Sequence, residues 1–465
     1  IERRSEGAQE LTAELMAKKQ PVIFQAVFAT DKFLAATDAM QWNEAAGAYD
    51  LYEIKMSSTS ANHEESDEDE AKPNKKREEQ YEYDLAFQAN VVALCGVKLN
   101  KKYLVRLNRE YVREGDLDFT PGTLFIIEDR TEAVEKRMPV ALEEMERAYE
   151  YLTTQELNGP CPCIYRGRSA HCTAFAYINP HVPGYSVHDL NRIGNSKKLL
   201  IELVNTGVLA IDDLSHDDPR LLSKPRPDNP NPKPRKRNQV KAHKTQEPII
   251  DLGALESELR SLTFPLYFLD YETYPTAIPP FDGYHPYQQI VFQYSLHVLR
   301  APGEEPEHYE ELILDGEPSE RIARSLREHI GESGTVISWF KLFENSRNKE
   351  LASLHPQYAD FFASVIGRTY DLMDIVHNQH YVHPGFRGRA SIKNVLPVLA
   401  PHLSYKALGV QSGTDAIHAY KVITEGTLTG DAREKKRQEM LEYCKLDTYA
   451  MYFLWKFFTD LVAKG

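Results

Sequence analysis

Hydrophobic and polar positions alternate in several short runs, and these runs predict β-strands in both halves of the chain. In the first half the runs lie at residues 22–29, 32–40, 49–56 and 102–107. In the second half they lie at residues 266–272, 290–299, 308–314 and 335–340. Helical patterns follow or separate these runs, for example at residues 84–96. Both halves are therefore expected to be mixed α/β.

Two strongly charged stretches interrupt this pattern. Residues 57–80 join an acidic block to the basic run KPNKKR, which predicts a disordered insertion. Residues 220–245 hold nine Lys and Arg against one Asp, interleaved with prolines, which predicts an extended linker with phosphate contact as a secondary role. The expected divisions are a first domain at 1–150, a cysteine-bearing segment at 151–215, the linker at 216–250 and a last domain at 251–465.

Charge and composition narrow the functional classes. The 465 residues include 55 basic and 69 acidic side chains, a net charge of −14, so any contact with nucleic acid must be local. No run approaches the roughly 18 apolar residues of a membrane span, and five cysteines are too few for a disulfide scaffold. We expect a soluble cytoplasmic protein with no membrane partner. The first residue is neither Met nor part of a signal peptide, so the chain is expected to begin inside a longer protein.

Two carboxylates stand out in the second half, on the predicted strand at 266–272. Asp270 and Glu272 are two residues apart, so both side chains point to one face of the sheet. On a central strand two like charges need a compensating cation. The alternative is an edge strand or an exposed strand end.

Two further carboxylates come from predicted helices. Asp447 lies on the apolar face of the last long helix, one turn after Tyr443. A metal would satisfy a buried Asp there, and the alternatives are a backbone partner or a frayed first turn. Glu344 follows a predicted strand and opens a helix, where an acidic residue is also common for dipole reasons.

The D-x-E pair, Glu344 and the final Y-x-x-x-D together resemble the DEDDy-type exonucleases, which have the DnaQ-like variant of the RNase H-like fold. The resemblance runs from residue 264 to the end and implies a mixed sheet flanked by helices. It implies that the ligands of two Mg²⁺ or Mn²⁺ ions are Asp270, Glu272, Glu344 and Asp447. Tyr443 would orient or deprotonate the attacking water, and digestion would run 3′ to 5′. The usual Asn is Phe340 here, and Glu344 replaces an Asp.

Substrate contacts are expected near the same site. In the run FRGRASIK the side chains of Arg387, Arg389 and Lys393 are expected to hold the nucleic-acid backbone. Several aromatic residues are candidates for stacking the last bases, with ordinary core packing as the alternative. These aromatic residues are Tyr271, Tyr274, Phe281, Tyr284 and Tyr287.

A second candidate site lies in the first half. Glu53 and Lys55 share one face of a predicted strand, and a hairpin would bring Asp38, at the end of the preceding strand, beside Glu53. With Gln88 on the next helix as a substrate contact, this pattern resembles the PD-(D/E)XK nucleases of the RecB-like group, including CRISPR-adaptation exonucleases. The resemblance implies a restriction-endonuclease-like core in which Asp38, Glu53 and the Ile54 carbonyl bind Mg²⁺ and Lys55 activates water. The alternative is an exposed Glu–Lys pair.

Three cysteines crowd together between the two halves. Cys161, Cys163 and Cys172 lie within twelve residues, beside His171. Such a cluster in a reducing compartment suggests a metal. RecB-like relatives carry a four-cysteine cluster, so the resemblance implies a 4Fe–4S centre whose fourth ligand precedes residue 1. Zinc bound with His171, or no metal, are the alternatives.

The sequence as a whole resembles an uncharacterised bacterial nuclease-like family. The favoured interpretation is a metal-dependent 3′–5′ exonuclease on single-stranded DNA, with a second PD-(D/E)XK nuclease site and a role in DNA repair or defence by analogy. RNA is the alternative substrate. The alternative function is a nucleic-acid-binding or scaffold protein that keeps the nuclease folds without cleavage.

Overall fold

The computed structural model describes residues 7–58, 75–154, 161–222 and 232–465. The chain divides into two units, the first formed by Ile1–Leu157 and Pro275–Gln288 and the second by Asn158–Tyr274 and Gln289–Gly465. The cysteine-bearing segment, expected at 151–215, therefore belongs to unit 2 only from residue 158 onward, and its first residues end a helix of unit 1. Residues 275–288, expected in the last domain, belong to unit 1 because their partners lie there. Arg113, for example, donates to the carbonyl oxygen of Pro280 at 2.6 Å.

Unit 1 is built on a five-stranded mixed sheet. Its elements are α1 (Ala8–Ala17), β1 (Val22–Phe24), β2 (Val27–Ala29), β3 (Leu34–Ala36), β4 (Ala39–Asn43), β5 (Ala48–Ser58), α2 (Lys75–Leu94), β6 (Leu99–Leu107), β7 (Phe125–Asp129) and α3 (Thr131–Thr154). The strand order is β1-β4-β5-β6-β7, and β2 pairs with β3 in a separate sheet. Strands β5 and β6 are parallel, joined by the crossover that contains α2, and the other neighbours are antiparallel.

Two predicted strands of unit 1 are each split. The run at 22–29 forms β1 and β2, and the run at 32–40 forms β3 and the start of β4. The first break is at Gln25, whose φ of 58° lies in the left-handed region and turns the chain out of the sheet. Asp38 therefore lies between two short strands, and the hairpin partner of β5 is β4.

The core of unit 1 lies between the sheet and its helices. Its buried members include Met40 and Leu51 from the strands and Leu85 and Val92 from α2. Helix α2 begins well before the predicted residue 84, so residues 75–80 are helical although they fell in the predicted insertion. The rest of that insertion, from residue 59 to residue 74, lies outside the described residues.

Unit 2 contains a second five-stranded mixed sheet. Its elements are α4 (Phe175–Ile178), α5 (Lys197–Asn205), α6 (Arg235–Thr245), β8 (Ile249–Ile250), α7 (Leu252–Arg260), β9 (Leu266–Pro275), β10 (Gln289–Leu299), β11 (Glu307–Leu312), α8 (Ser319–His329), β12 (Thr335–Ser338), α9 (Lys341–Leu354), α10 (Ala359–Gly367), β13 (Thr369–Asp371), α11 (Asp374–His377), β14 (Tyr381–Val382), α12 (Ile392–Leu399), α13 (Gly413–Thr424) and α14 (Gly430–Lys464). Short 3-10 helices such as Val187–Asp189, Ile193–Asn195 and Tyr405–Ala407 connect them. The strand order is β11-β10-β9-β12-β13, with β12 parallel to both β9 and β13 and β10 antiparallel to β11.

The predicted linker is only partly as expected. Residues 223–231 lie outside the described residues, but α6 occupies Arg235–Thr245. This helix forms because Gln239, Val240 and Ala242 are buried against the rest of unit 2, which the prolines and charges of the sequence concealed. Within the described part of the chain, no helix has the length and apolar composition needed to cross a membrane.

Candidate metal centre

The central strand of the unit 2 sheet carries the first two predicted ligands. Asp270 and Glu272 lie on β9, which has two strands on each side. One carboxylate oxygen of each and the Cys444 Sγ lie within 4.8 Å of one another, and this group of described residues includes neither Glu344 nor Asp447. The structure thus confirms that both carboxylates point to one face of a central strand. Burial raises the pKa of Cys444 well above its usual range, so the thiol stays protonated and faces Asp270 Oδ2 at 3.9 Å.

Helix α14 contributes the next pair of side chains. Tyr443 and Asp447 are both buried, one helical turn apart, on the face that also carries Met451. Asp447 Oδ1 accepts a hydrogen bond of 2.6 Å from the Tyr405 hydroxyl. The sequence did not reveal Tyr405, because it lies in a short 3-10 helix with no periodic pattern around it. Burial and nearby carboxylates raise the pKa of Tyr443 far above its usual range, so it remains a donor.

Glu344 reaches the same region from the first turn of α9. Asp371 fixes the start of this helix, because its carboxylate accepts the backbone N–H groups of Phe340 and Lys341, both at 2.9 Å. Phe340 has a left-handed φ of 80°, which turns the chain sharply from β12 into the helix. Glu344 is buried, and its Oε2 has no hydrogen-bond partner among the described residues.

Electrostatics link the four carboxylates. Burial, together with the charges of Asp447, Glu344 and Glu272, raises the pKa of Asp270 well above its usual range. Burial likewise raises the pKa of Glu272 to about 8 and that of Asp447 to about 6. The pKa of Glu344 is also raised well above its usual range, first by burial. The unit 2 centre therefore concentrates acidic groups that water does not solvate.

Lys393 partly offsets this negative charge. It lowers the pKa of Asp270, Glu272 and Asp447, and its Nζ lies 5.8 Å from the centre of the Tyr443 ring. Arg347 likewise lowers the pKa of Glu344. Two cations do not neutralise four carboxylates. Four carboxylates offer the hard oxygen ligands that a divalent cation such as Mg²⁺ or Mn²⁺ prefers. The Glu344 oxygen that has no hydrogen bond among the described residues fits the same kind of ion.

Arg387 and Arg389 were also predicted to hold the nucleic-acid backbone, and both have their partners elsewhere in unit 2. Arg387 stacks over the Tyr185 ring, 5.2 Å from its centre. Arg389 lies 3.6 Å from the Asp189 carboxylate. Both arginines thus contact the segment that follows the cysteines, whereas Lys393 faces the carboxylates.

The predicted stacking aromatics are mostly core residues. Tyr271, Tyr274 and Tyr284 are 4%, 9% and 1% exposed, so they cannot present a ring face to a base. The Tyr271 hydroxyl donates to Asn348 at 2.7 Å, which ties β9 to α9. For these three residues the stacking prediction is wrong and the core alternative holds, because β9 and the following loop are covered on both sides. Phe281 and Tyr287 are half-buried.

The unit 1 site gathers the predicted residues in a different way. Asp38 Oδ2 accepts the Ile54 backbone N–H at 2.9 Å, so Asp38 does lie beside the predicted strand position. Lys55 Nζ lies 2.7 Å from one oxygen of Glu53, and Gln88 donates to the other at 2.6 Å. Gln88 lies on α2, as predicted.

Asp84 is a further member of the unit 1 site. It lies 2.6 Å from Lys55 Nζ, so Lys55 bridges two carboxylates. Its position one helical turn before Gln88 was the signal that the sequence offered. Glu53 is buried, so the alternative of an exposed Glu–Lys pair is wrong. Lys55 is not an isolated lysine either, because it contacts both carboxylates.

The three clustered cysteines do come together. The thiol sulfurs of Cys161, Cys163 and Cys172 lie within 4.8 Å of one another, with Cys161 and Cys172 3.6 Å apart. Among the described residues no fourth ligand joins this group. His171 is not a member: its Nε2 lies 2.9 Å from the Arg166 carbonyl oxygen, and its ring stacks on Phe175. A zinc site that uses His171 is therefore not what the structure contains.

The cysteines differ in acidity. The backbone N–H of Cys172 and the neighbouring Cys161 thiol lower the pKa of Cys163. The pKa of Cys161 is raised, with a thiolate at Cys163 among the causes. Three sulfurs at this spacing are the donor type that a soft metal ion or cluster takes.

Comparison with known proteins gives a family without an assigned function. The family model described as "Domain of unknown function (DUF2779)" matches residues 267–391, an interval that holds Asp270, Glu272 and Glu344 and ends before Tyr443 and Asp447. The "Uncharacterized protein MG366 homolog" of Mycoplasma pneumoniae (strain ATCC 29342 / M129 / Subtype 1) is 24% identical over 213 residues, which are 42% of this chain. The chain covers 32% of that relative's length. No solved structure matches the chain. These similarities fit the expectation of an uncharacterised family.

Proposed function

We propose that the chain is a metal-dependent nuclease whose main activity is 3′–5′ exonucleolytic hydrolysis of single-stranded DNA at the unit 2 centre. The observation that carries the proposal is that Asp270 and Glu272 lie at metal-ligand spacing on β9, with Glu344 and Asp447 buried near enough for their charges to raise the pKa of Asp270. Like charges in a buried site are costly unless a cation joins them. A site for divalent ions is the simplest reason to keep four of them.

The sheet of unit 2 supports this proposal. Numbered along the chain, its five main strands have the order 3-2-1-4-5, and the D-x-E pair lies on the first and central strand. This arrangement is what the resemblance to the RNase H-like exonucleases implies. The Y-x-x-x-D pair comes from the last helix, again as the resemblance implies.

The residues of the chain divide the work as follows. The four carboxylates would hold the ions, and bound Mg²⁺ or Mn²⁺ would activate a water and neutralise charge developing on the phosphate. Tyr405 donates to Asp447 and fixes its carboxylate. Tyr443 would orient the attacking water through its hydroxyl or take its proton. Lys393 supplies a positive charge to the phosphate side of the site.

We propose a second, PD-(D/E)XK-like nuclease site in unit 1. Asp38 and Glu53 would hold the ion, and Lys55 would contact the phosphate or the attacking water. Parallel β5 and β6 joined through α2, with an antiparallel β4 beside β5, support a restriction-endonuclease-like core. Both oxygens of Glu53 are already engaged by Lys55 and Gln88, so ion binding requires one of these contacts to open.

The engaged Glu53 also favours a second candidate function for unit 1. Held in this ion pair, the unit would bind nucleic acid without cutting it, as a degenerate nuclease fold does. RNA is the alternative substrate for either unit, since nothing in the motifs selects against a 2′-hydroxyl.

The test is a degradation assay on the full chain. Oligonucleotides of DNA and RNA, labelled at the 3′ or the 5′ end, are incubated with Mg²⁺ or Mn²⁺, with EDTA as the control. We expect the 3′-labelled substrate to lose its label early and the 5′-labelled substrate to shorten stepwise from its unlabelled 3′ end. EDTA should abolish both effects. If the protein binds oligonucleotides but shortens none of them at any metal concentration, the proposed nuclease activity is wrong and the binding function is favoured.

A further inference from the structure

One group of possible metal ligands in unit 2 includes a sulfur atom. A carboxylate oxygen of Asp270, a carboxylate oxygen of Glu272 and the Cys444 Sγ lie within 4.8 Å of one another. The shortest of these separations that involves the sulfur is known: Cys444 Sγ and Asp270 Oδ2 are 3.9 Å apart. The ligands that the resemblance to the DEDDy exonucleases implies are all carboxylates. The thiol is therefore an additional donor at this centre.

The position of Cys444 on α14 brings its thiol to the carboxylates of β9. Cys444 comes three residues before Asp447, and side chains three residues apart share one face of a helix. The side chain of Cys444 is fully buried. A buried cysteine commonly serves as a small apolar core residue. Two buried carboxylates are costly neighbours for such a residue, whereas a metal ligand has them as partners.

The distance between sulfur and oxygen suits a single ion. Zinc lies about 2.3 Å from a thiolate sulfur and about 2.1 Å from a carboxylate oxygen, so in a tetrahedral site these two ligand atoms are roughly 3.6 Å apart. The 3.9 Å between Cys444 Sγ and Asp270 Oδ2 is close to this value. A shift of a few tenths of an ångström would bring the pair to ligand spacing.

Glu344 is an independent indication of a cation at this place. The residue is 4% exposed, and its Oε2 has no hydrogen-bond partner among the described residues. The same carboxylate interacts with the backbone N–H of Tyr271, the residue between Asp270 and Glu272 on β9. The unpartnered oxygen thus belongs to a carboxylate held against the strand that carries the two candidate ligands. A cation would satisfy this oxygen.

The sulfur indicates which kind of ion the group would take. Mg²⁺ and Mn²⁺ prefer carboxylate oxygens, whereas a thiolate selects softer ions such as Zn²⁺. We propose that Asp270, Glu272 and Cys444 form a binding site for a thiophilic divalent cation such as Zn²⁺. When the metal–sulfur bond forms, the S–H bond breaks and the proton passes to water. A water molecule would take the fourth position, as in open zinc sites.

The site shares two ligands with the centre proposed for hydrolysis. Asp270 and Glu272 cannot serve both kinds of ion fully at once, so a thiophilic cation competes with Mg²⁺ or Mn²⁺. A bound thiophilic cation should therefore stop the proposed trimming of a 3′ end. This consequence rests on the proposed function, whereas the binding of the cation does not.

Binding is tested with Cd²⁺ and no nucleic acid. A Cd²⁺–thiolate bond adds a charge-transfer absorption in the ultraviolet, so the full chain is titrated with Cd²⁺ and its spectrum recorded. The spectrum of Cys444→Ser is subtracted from that of the wild type, which cancels the contribution of the three clustered cysteines. Cys95→Ser, a change at a half-buried cysteine of unit 1, is the matched control. We expect the absorption of one Cd²⁺–sulfur bond in the first difference and none in the second.

Asp270→Asn tests whether the sulfur acts together with the carboxylates. This variant keeps the thiol, and it should weaken Cd²⁺ binding at Cys444 at least about tenfold, since even indirect partners of metal ligands cost 10- to 100-fold. Cys444→Ala is measured beside Cys444→Ser, and a variant counts only if it keeps a cooperative thermal transition. Equal spectra of the wild type and the Cys444 variants would overturn the site. A Cys444 signal that Asp270→Asn leaves unchanged would also overturn it, because the thiol would then bind alone.

Competition is tested in the degradation assay with Mg²⁺ and increasing Zn²⁺. Each rate is expressed relative to the rate of the same protein without Zn²⁺. Half-inhibition of Cys444→Ser should require at least about ten times more Zn²⁺ than half-inhibition of the wild type or of Cys95→Ser. Equal inhibition of all three proteins would overturn the competition. A Cd²⁺ signal without any trimming would refute the proposed nuclease and leave this site intact, and trimming without a Cd²⁺ signal would do the reverse.

Discussion

The two candidate sites solve the same electrostatic problem in opposite ways. In unit 1 each buried carboxylate oxygen of Glu53 has its own partner, Lys55 or Gln88. In unit 2 the carboxylates of Asp270, Glu272 and Asp447 share the single cation Lys393. Arg347 acts on Glu344, one of whose oxygens has no hydrogen bond among the described residues. The unit 1 site is compensated from within, whereas we propose that the unit 2 site takes up an external cation. The difference identifies unit 2 as the better candidate for catalysis.

The helices that complete the two sites are held differently as well. Helix α2 of unit 1 is attached by ion pairs, since Glu78 binds both Arg106 and Arg130. Helix α14 of unit 2 is attached by uncharged groups: Thr448 bonds to Ser295 and to His297, both on β10. Unit 1 should therefore respond to salt and unit 2 to acid.

The largest expected effect comes from Asp270→Asn. Loss of one charged ligand should reduce 3′-end trimming by more than about 100-fold, since even indirect partners of metal ligands cost 10- to 100-fold. In EDTA the same variant should unfold at a higher temperature than the wild type, because a buried like charge is removed. Glu53→Gln is the control and should leave 3′-end trimming intact. If Glu53→Gln abolishes trimming and Asp270→Asn does not, the activity belongs to unit 1.

Metal binding should separate the sites by stability alone. Mn²⁺ at about 100 times its Kd should stabilise the wild type by about 2.7 kcal/mol, measured as a shift of the thermal transition against EDTA. The shift should persist in Glu53→Gln and largely vanish in Asp447→Asn. A shift lost only in Glu53→Gln would mean that the compensated site is the one that binds the ion.

Removal of Lys55 should break the internal compensation of unit 1. Lys55→Met leaves Glu53 and Asp84 without their shared cation, and we expect a loss of about 2 kcal/mol in urea unfolding. Lys101→Met is the matched control, because the exposed Lys101–Asp129 pair should contribute less than about 1 kcal/mol. Equal effects of the two variants would show that the Lys55 pairs are ordinary surface contacts.

Sequence patterns predicted the candidate metal ligands of unit 2 better than the residues that hold them in place. The positions of Asp270, Glu272 and Asp447 follow from periodicity, because strand and helix periods fix which side chains share a face. Tyr405 and Asp371 were missed, since each acts through a tertiary contact that leaves no local pattern. The split of the first strands at Gln25 was missed for the same reason: a left-handed Gln has no sequence signature. Asp84 was missed although its spacing of four residues from Gln88 was visible in the sequence. Helix α6 was hidden by prolines and charge, although Val240 is fully buried.

A further effect is expected from the acid sensitivity of α14. His297 is buried against Thr448, with Nδ1 2.8 Å from its hydroxyl oxygen, and burial, with His308 and Lys445, lowers the pKa of His297 to about 3. An unfolded histidine titrates near pH 6.5, so between about pH 6.5 and pH 3 the unfolded chain binds a proton that the folded chain does not. Folding stability should therefore fall with acid in this window by about 1.4 kcal/mol per pH unit from this group.

His297→Asn should remove that contribution while keeping a polar group beside Thr448. The raised pKa values of the unit 2 carboxylates act in the opposite direction, so the quantity to measure is the difference in urea midpoints between wild type and variant from pH 7 to pH 5. We expect the difference to shrink or reverse as the pH falls, because only the wild type loses the His297 contribution. Lys55→Met should show no such trend, since it lies in the ion-paired unit. If the difference in urea midpoints between wild type and His297→Asn does not change with pH, α14 is not held by a neutral histidine. The contrast between the attachment of α2 by ion pairs and that of α14 by uncharged groups would then be wrong.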